Sequence, residues 1–213
     1  MYSTTKFTPK NSIHLPLNVP RLSGASDNVR VMVSERLIMD GEYCIGDMIE
    51  VTGQFRSYNS YENGDNRLVL TVFAKDICHF DEEESKNPNT LFLNGFICKE
   101  PVYRTTPFGR EITDILLAVN RSYNKSDYIP IIAWGRNARF AKNLHVGDNV
   151  KIWGRIQSRT YQNVSAKKKQ SPKPHTRYLS IVWSLLKKKK KRNKNKEQTK
   201  QSCSLVFTVL LTL

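Results

Sequence analysis

Two aromatic side chains, Tyr128 and Trp134, stand six residues apart in the run DYIPIIAWG. The run is rich in β-forming residues, and a strand points successive side chains to opposite faces. This alternation predicts that Ile129, Ile131 and Ala133 face inward and that both rings face outward. At ~3.3 Å per residue the two rings lie about 20 Å apart, which spans several stacked bases of an extended single strand.

A second run, NVKIWGRIQSRTY, alternates in the same way and places cations between its rings. Its predicted outward side chains are Lys151, Trp153, Arg155, Gln157, Arg159 and Tyr161. Rings stack on bases at about 1–3 kcal/mol each, and cations neutralise phosphates. With Arg136 beside Trp134, the pattern favours a single-stranded nucleic acid as ligand. The alternative is that the rings cap a barrel or lie in a subunit interface, which applies most to Trp153.

No arrangement of residues indicates catalysis or metal binding. The four histidines are isolated in the sequence, and the four cysteines form no CxxC pair: His14, His79, His145, His175, Cys44, Cys78, Cys98 and Cys203. Scattered thiols of this kind are typical of a reducing compartment. The sequence therefore predicts a protein that is not an enzyme and that uses no metal, cofactor or small-molecule substrate.

The chain repeats itself at a spacing of about 100 residues. IGDMIEVTGQFRSYN, from Ile45, matches VGDNVKIWGRIQSRTY, from Val146, in its Gly-Asp turn and its interior glycine. Upstream, LNVPRLSGASD aligns without gaps on LAVNRSYNKSD, and the offset becomes 101 after Pro130. Duplication of one domain is the simplest interpretation.

Each copy reads as short strands with one short helix between the third and fourth strands. Five strands with this helix are the layout of an OB-fold barrel, a frame often used for oligonucleotides. We therefore predict an all-β chain of two tandem OB-fold barrels, the first lacking its first strand. The predicted divisions are a first barrel at 1–80, an acidic linker at 81–88, a second barrel at 89–184 and a disordered basic tail at 185–213.

The formal charge of +15 is unevenly distributed along the chain. Residues 1–88 carry 9 basic and 13 acidic side chains, whereas residues 89–161 carry 11 basic and 5 acidic ones. Residues 162–213 carry 14 basic side chains and 1 acidic one. A basic second copy predicts a polyanionic partner for that copy. No signal peptide or membrane span is recognisable, so we expect a soluble cytoplasmic protein.

Copy two resembles the bacterial single-stranded DNA-binding protein family from Asn89 to Tyr161. The matching pieces are NTLFLNGFICKEPVYRTTPFG, LLAVNR, DYIPIIAWGRNA and VGDNVKIWGRIQSRTY, in that order. The resemblance implies that four aromatic residues stack on bases: Tyr123, Tyr128, Trp134 and Tyr161. Copy one resembles the family only from VPRLSG through VFAKDI. At the corresponding positions it has Ser23, Asn28, Val33 and a polar stretch near Ser60 and Tyr61.

The resemblance therefore implies a sequence-nonspecific protein that coats single-stranded DNA in replication, recombination and repair, associated with the nucleoid. The expected phosphate contacts are Arg104, Arg121, Arg136, Arg155 and Arg159. Further candidate contacts are Trp153, Arg56, Tyr58, Lys167, Lys168 and Lys169. The family usually places four OB-folds around the DNA, so a homodimer of this chain is expected.

Two other functions fit the same residues. An OB-fold can bind RNA, because stacking alone does not distinguish the sugars. The barrels could instead assemble a complex in which nucleic-acid binding is vestigial. Affinities for matched oligomers of dT and U distinguish DNA binding from RNA binding. Replacing Tyr128 and Trp134 with Ala distinguishes stacking on bases from a purely structural role.

Overall fold

The computed structural model describes residues 12–21, 23–39, 41–62, 65–79, 89–161, 176–188 and 205–210. Copy one supplies β1 (Ser12–Pro20), β2 (Ser26–Ser34), α1 (Glu35–Met39), β3 (Met48–Glu62) and β4 (Asp65–His79). Copy two supplies β5 (Asn89–Ile97), β6 (Val102–Thr105), β7 (Glu111–Asn120), β8 (Ser126–Trp134), α2 (Arg136–Ala141), β9 (Asn149–Tyr161) and β10 (Thr176–Lys188). A last strand, β11 (Leu205–Leu210), follows.

The second copy closes a five-stranded barrel around its own core. Strand β5 pairs with β7 on one side and β9 on the other, and β9, β10, β8 and β7 complete the circle. The β10–β8 pairing is parallel and the others are antiparallel. Inward residues such as Leu93, Leu117, Ile129 and Ile152 are fully buried, as the period-2 pattern of these runs predicts.

The first barrel is closed by a strand from the far end of the chain. Among the described residues of copy one, no strand precedes β1. Strand β11 pairs with β3 from Leu205 opposite Gly53 to Leu210 opposite Met48. In copy two, β5 pairs with β9 from Leu91 opposite Gly154, which is Gly53 advanced by 101 residues. Strand β11 therefore occupies, register for register, the place of the missing first strand.

Strand β11 also connects the two barrels. Leu205, Val206 and Phe207 pair antiparallel with Leu91, Thr90 and Asn89 of β5. Residues of β11 also come within 8 Å of residues of β1, measured between Cα atoms. The expected tail at 185–213 thus includes the end of β10 and all of β11. Residues 189–204 and 211–213 lie outside the described part of the chain, as does the linker 81–88.

The duplicated Gly-Asp turns agree down to single hydrogen bonds. Gly46 and Gly147 have φ of 105° and 89°, a region that favours glycine. The Asp47 carboxylate accepts from the Cys44 backbone N–H at 2.6 Å, and the Asp148 carboxylate accepts from His145 at 3.0 Å. The motif is therefore a fixed turn that starts the fourth barrel strand in each copy.

The repeated interior glycine has a steric reason in copy one. A Cβ atom on Gly53 would lie 2.3 Å from the carbonyl oxygen of Phe73 on the neighbouring strand β4. The β3–β4 register shifts at this point, between Thr52 and Gly53. Only a residue without a side chain allows the two backbones to approach so closely.

Candidate nucleic-acid interface

Strand β8 presents the two rings that the sequence places on its outer face. Tyr128 is 49% exposed and Trp134 is partly exposed, whereas Ile129, Ile131 and Ala133 are buried, with 1% or less of their surface exposed. The inward and outward assignment of these five residues therefore agrees with the alternation. A ring of which half meets solvent offers a face on which a base can stack.

Tyr123 stands on the turn between β7 and β8, and 94% of its surface is exposed. Its φ of 62° and that of Asn124, 53°, are in the left-handed region that few non-glycine residues adopt. The backbone N–H of Arg121 donates to Lys125 O at 2.7 Å and closes this turn. The turn holds the ring of Tyr123 in solvent, just before the first residue of β8.

Arg104 shares the outer face of this sheet. It pairs with Ile112 of β7, which pairs in turn with Trp134 of β8. Directly paired residues point to the same face, and two strand spacings put them about 10 Å apart. The Arg104 guanidinium also lies 2.7 Å from the Asp114 carboxylate in an exposed ion pair. Arg104 and Trp134 thus form one row across β6, β7 and β8.

The cations and rings of β9 lie farther from β8, because β10 lies between the two strands. Arg155 is exposed, and Trp153, 36% exposed, packs against Phe92 of β5 with ring centroids 4.8 Å apart. Trp153 is therefore on the β5 side of the barrel, away from Tyr128. Arg136 is exposed at the first position of α2, two residues after Trp134.

The remaining candidates are placed less fully. The backbone of Arg159 and Tyr161 belongs to β9, but their side chains lie outside the described part of the chain, as do Lys167, Lys168 and Lys169. In copy one, Tyr58 on β3 is 39% exposed. These positions stay predictions.

Arg121 contacts an acid at the junction of the two barrels. Its Nε lies 3.1 Å from Asp127 Oδ2, and Asp127 is only 1% exposed. Arg56 of copy one approaches the same carboxylate at 3.8 Å. Asp127 also accepts from the Ser57 backbone N–H at 2.8 Å. Burial raises the pKa of Asp127, against the opposing effects of the Ser57 hydrogen bonds and the two guanidinium groups.

Copy one provides the pseudo-symmetric counterpart of this junction. Asp27, fully buried, accepts from the Ser158 backbone N–H of copy two at 2.6 Å. Arg21 Nε donates to Asp27 Oδ2 at 2.7 Å. The hydroxyl of Ser158 accepts from the Asn28 backbone N–H at 3.0 Å, just as the hydroxyl of Ser57 accepts from Tyr128 N–H at 2.8 Å. Two pseudo-symmetric clusters therefore join the barrels.

These junction residues were not among the sequence candidates, except for Arg121 and Arg56, which we expected to contact DNA. A signal for them does exist in the repeat. Arg21 and Asp27 recur as Arg121 and Asp127 at an offset of 100, and Ser57 recurs as Ser158 at 101. Polar residues that stay identical between two diverged copies indicate a shared structural task.

The described ranges hold neither a metal-binding cluster nor a membrane-spanning helix. Over these ranges no group of three or more His, Cys, Asp or Glu side chains is arranged to hold a metal ion. No helix there has the length and apolar character needed to cross a membrane.

Comparison with known proteins gives consistent matches. A model of the single-strand binding protein family matches residues 88–182. The single-stranded DNA-binding protein of Caldanaerobacter subterraneus subsp. tengcongensis is 38% identical over 84 residues, which are 36% of this chain and 56% of that protein. Single-stranded DNA-binding protein B of Bacillus subtilis is 34% identical over 82 residues, 35% of this chain and 73% of that protein. The chain spans about half the length of the Caldanaerobacter protein and of single-stranded DNA-binding protein 1 of Staphylococcus aureus.

A solved structure resembles both halves of the chain. The wild-type single-stranded DNA binding protein from Thermus aquaticus superposes with a TM-score of 0.64 at 18% identity, over 89% of this chain and 86% of that one. At this identity the likeness shows the fold, and it confirms the predicted all-β class of two OB-fold barrels.

Proposed function

The chain belongs to the single-strand binding protein family, and from that premise we propose that it binds single-stranded DNA without sequence preference. The observation that carries the proposal is the set of rings along β8 and its preceding turn, of which Tyr123 and Tyr128 are exposed and Trp134 is partly exposed. Bases stack on such rings whatever their identity, because every base has a π-face. The protein would coat and protect single strands during replication, recombination and repair, on the DNA of the bacterial nucleoid.

Cations on copy two supply the sequence-independent part of the affinity. Arg136 and Arg155 are exposed on copy two, and Arg104 lies in the row of Trp134. Each phosphate that a cation neutralises releases counterions from the strand. We assign Arg121 to the junction with Asp127 rather than to phosphate. Residues 89–161 carry 11 basic and 5 acidic side chains, a balance that favours a polyanionic ligand.

Fluorescence anisotropy of a labelled dT oligomer tests this function directly. The chain should bind the oligomer, lose affinity steeply as salt rises, and bind duplex DNA of equal length much more weakly. A matched U oligomer provides the comparison with RNA. Failure to bind dT, or clearly tighter binding to U, would overturn the assignment to single-stranded DNA.

We further infer that two chains associate to place four barrels around the DNA. Phe92 on β5 packs against Trp153 on β9, and Phe96 lies four residues farther along β5, with Phe96 42% and Trp153 36% exposed. Exposed aromatic patches of this kind favour protein contacts. Light scattering should give the mass of a dimer, and Trp153→Thr, which copies Thr52 of copy one, should shift it to monomers. A wild-type chain that stays monomeric would refute the association.

A further inference from the structure

Strand β8 is held at Tyr128 by a residue of the other barrel. The backbone N–H of Tyr128 donates to the hydroxyl of Ser57, which lies on β3 of copy one, at 2.8 Å. Strand β10 pairs with β8 at Ile131 and Ile132, three and four residues farther along β8 than Tyr128. The Ser57 hydroxyl thus accepts the backbone N–H of β8 at Tyr128, before the point where β8 pairs with β10.

Ser57 is itself fixed from the second barrel. Its backbone N–H donates to Asp127 Oδ1 at 2.8 Å, and the other carboxylate oxygen lies 3.1 Å from Arg121 Nε. Ser57 is 6% exposed and Asp127 is 1% exposed. Hydrogen bonds in such a buried setting are costly to leave unmade. The junction therefore fixes the backbone on which the exposed ring of Tyr128 stands.

We propose that Ser57 and Asp127 are positioning residues for DNA binding, and that through Ser57 the first barrel contributes to affinity without this side chain contacting the DNA. This inference rests on the proposed function, because it gives Ser57 a role only if Tyr128 stacks on a base. In the corresponding cluster around Asp27, the Ser158 hydroxyl accepts from the backbone N–H of Asn28. Asn28 has no aromatic ring that could stack on a base. The two junctions are alike in structure, yet only one of them supports a stacking residue.

A double-mutant cycle tests the proposal with the full chain and a labelled dT oligomer. Ser57→Ala should weaken binding about threefold to tenfold, less than Tyr128→Ala itself. In the Tyr128→Ala background, Ser57→Ala should have no further effect, because the ring through which it acts is gone. Ser57→Thr, which keeps the hydroxyl, should restore most of the affinity.

Ser158→Ala is the matched control, since it removes the corresponding hydroxyl and leaves the Ser158 N–H to Asp27 bond in place. It should speed amide exchange at Asn28 but keep the affinity for dT. Ser57→Ala should speed exchange at Tyr128. Two results would overturn the positioning role. One is an equal loss of affinity from Ser57→Ala and Ser158→Ala. The other is that Ser57→Ala weakens binding as much in the Tyr128→Ala background as in the wild-type chain. A wild-type chain that does not bind dT would instead refute the proposed function.

Discussion

The two barrels share their framework and differ in what they present to solvent. Both have the Gly-Asp turn and both contribute an Arg, an Asp and a Ser to the junction. On the third barrel strand, however, Tyr128 and Trp134 of copy two correspond to Asn28 and Val33 of copy one. The difference teaches that the residues kept in both copies hold the molecule together. The residues kept in only one copy are where we place the function.

Removal of the rings is expected to have the largest effect on this comparison. The double variant Tyr128→Ala with Trp134→Ala should lose about 2–6 kcal/mol of binding free energy for dT, or roughly 30-fold or more in affinity. The reason is that each lost ring removes one stacking platform. Fluorescence anisotropy of a labelled oligomer measures the change.

Asn28→Ala is the counterpart in copy one, because Asn28 corresponds to Tyr128. We expect its affinity for dT to stay within about twofold of the wild-type value, since no stacking group is removed. If Asn28→Ala weakened binding as much as loss of the rings, the two barrels would share the DNA equally.

A proline in β11 should break the closure of the first barrel. Val206 pairs with Thr52 of β3 and with Thr90 of β5, so it lies between two strands. Val206→Pro removes a backbone donor from the interior of the sheet. The free energy of unfolding should fall by about 1–3 kcal/mol, the cost of one unmet buried acceptor or more. Urea unfolding followed by circular dichroism measures it, with Lys200→Pro, five residues before Leu205, as the control.

Disulfide trapping shows whose β11 closes the barrel. Thr208 pairs with Glu50, so a Thr208→Cys, Glu50→Cys chain with its native cysteines changed to serine should oxidise within one chain. Pairing Thr208→Cys with Thr52→Cys, two residues out of register, should cross-link poorly. Disulfide-linked dimers on a non-reducing gel would show that chains exchange this strand.

Charge offers a smaller difference between the copies. Arg155 corresponds to Gln54 of copy one at the offset of 101, so Arg155→Gln gives copy two the residue of copy one. The slope of log K against log salt should flatten by about 0.7, or about fivefold in affinity near 0.1 M salt. Arg56→Gln should leave the slope unchanged, because Arg56 lies against Asp127. A flatter slope for Arg56→Gln would return that residue to the DNA surface.

The smallest expected effect concerns pH and the acid at the junction. Burial raises the pKa of Asp127 above its ordinary value of 3.8. The folded chain therefore holds this proton more tightly than the unfolded chain. The resulting stability is fully present below pH 3.8 and is lost as the pH rises through the raised pKa. The unfolding free energy of wild type minus that of Asp127→Asn should fall across this window, and a difference that rises would contradict the sign.

Much of the interface was predictable because it depends on local alternation. Tyr128, Trp134 and the buried Ile129 and Ile131 follow from the period of one strand, and the duplicated turns follow from GD in each copy. The role of Asp127 was not predictable from one position, because its burial depends on Ser57, 70 residues away. Nor could composition place β11, since the pairing of a strand is set by the open edge it meets and not by its own residues alone.

Closure of the first barrel by β11 has a consequence for how the chain is made. All described strands of the second barrel lie between residues 89 and 188, whereas the first barrel needs residues 12–79 together with 205–210. At about 5–20 residues per second, roughly six to twenty-five seconds separate the synthesis of β4 from that of β11. The barrel that leaves the ribosome first is therefore the one completed last, because the edge of β3 stays unpaired until β11 has been synthesised.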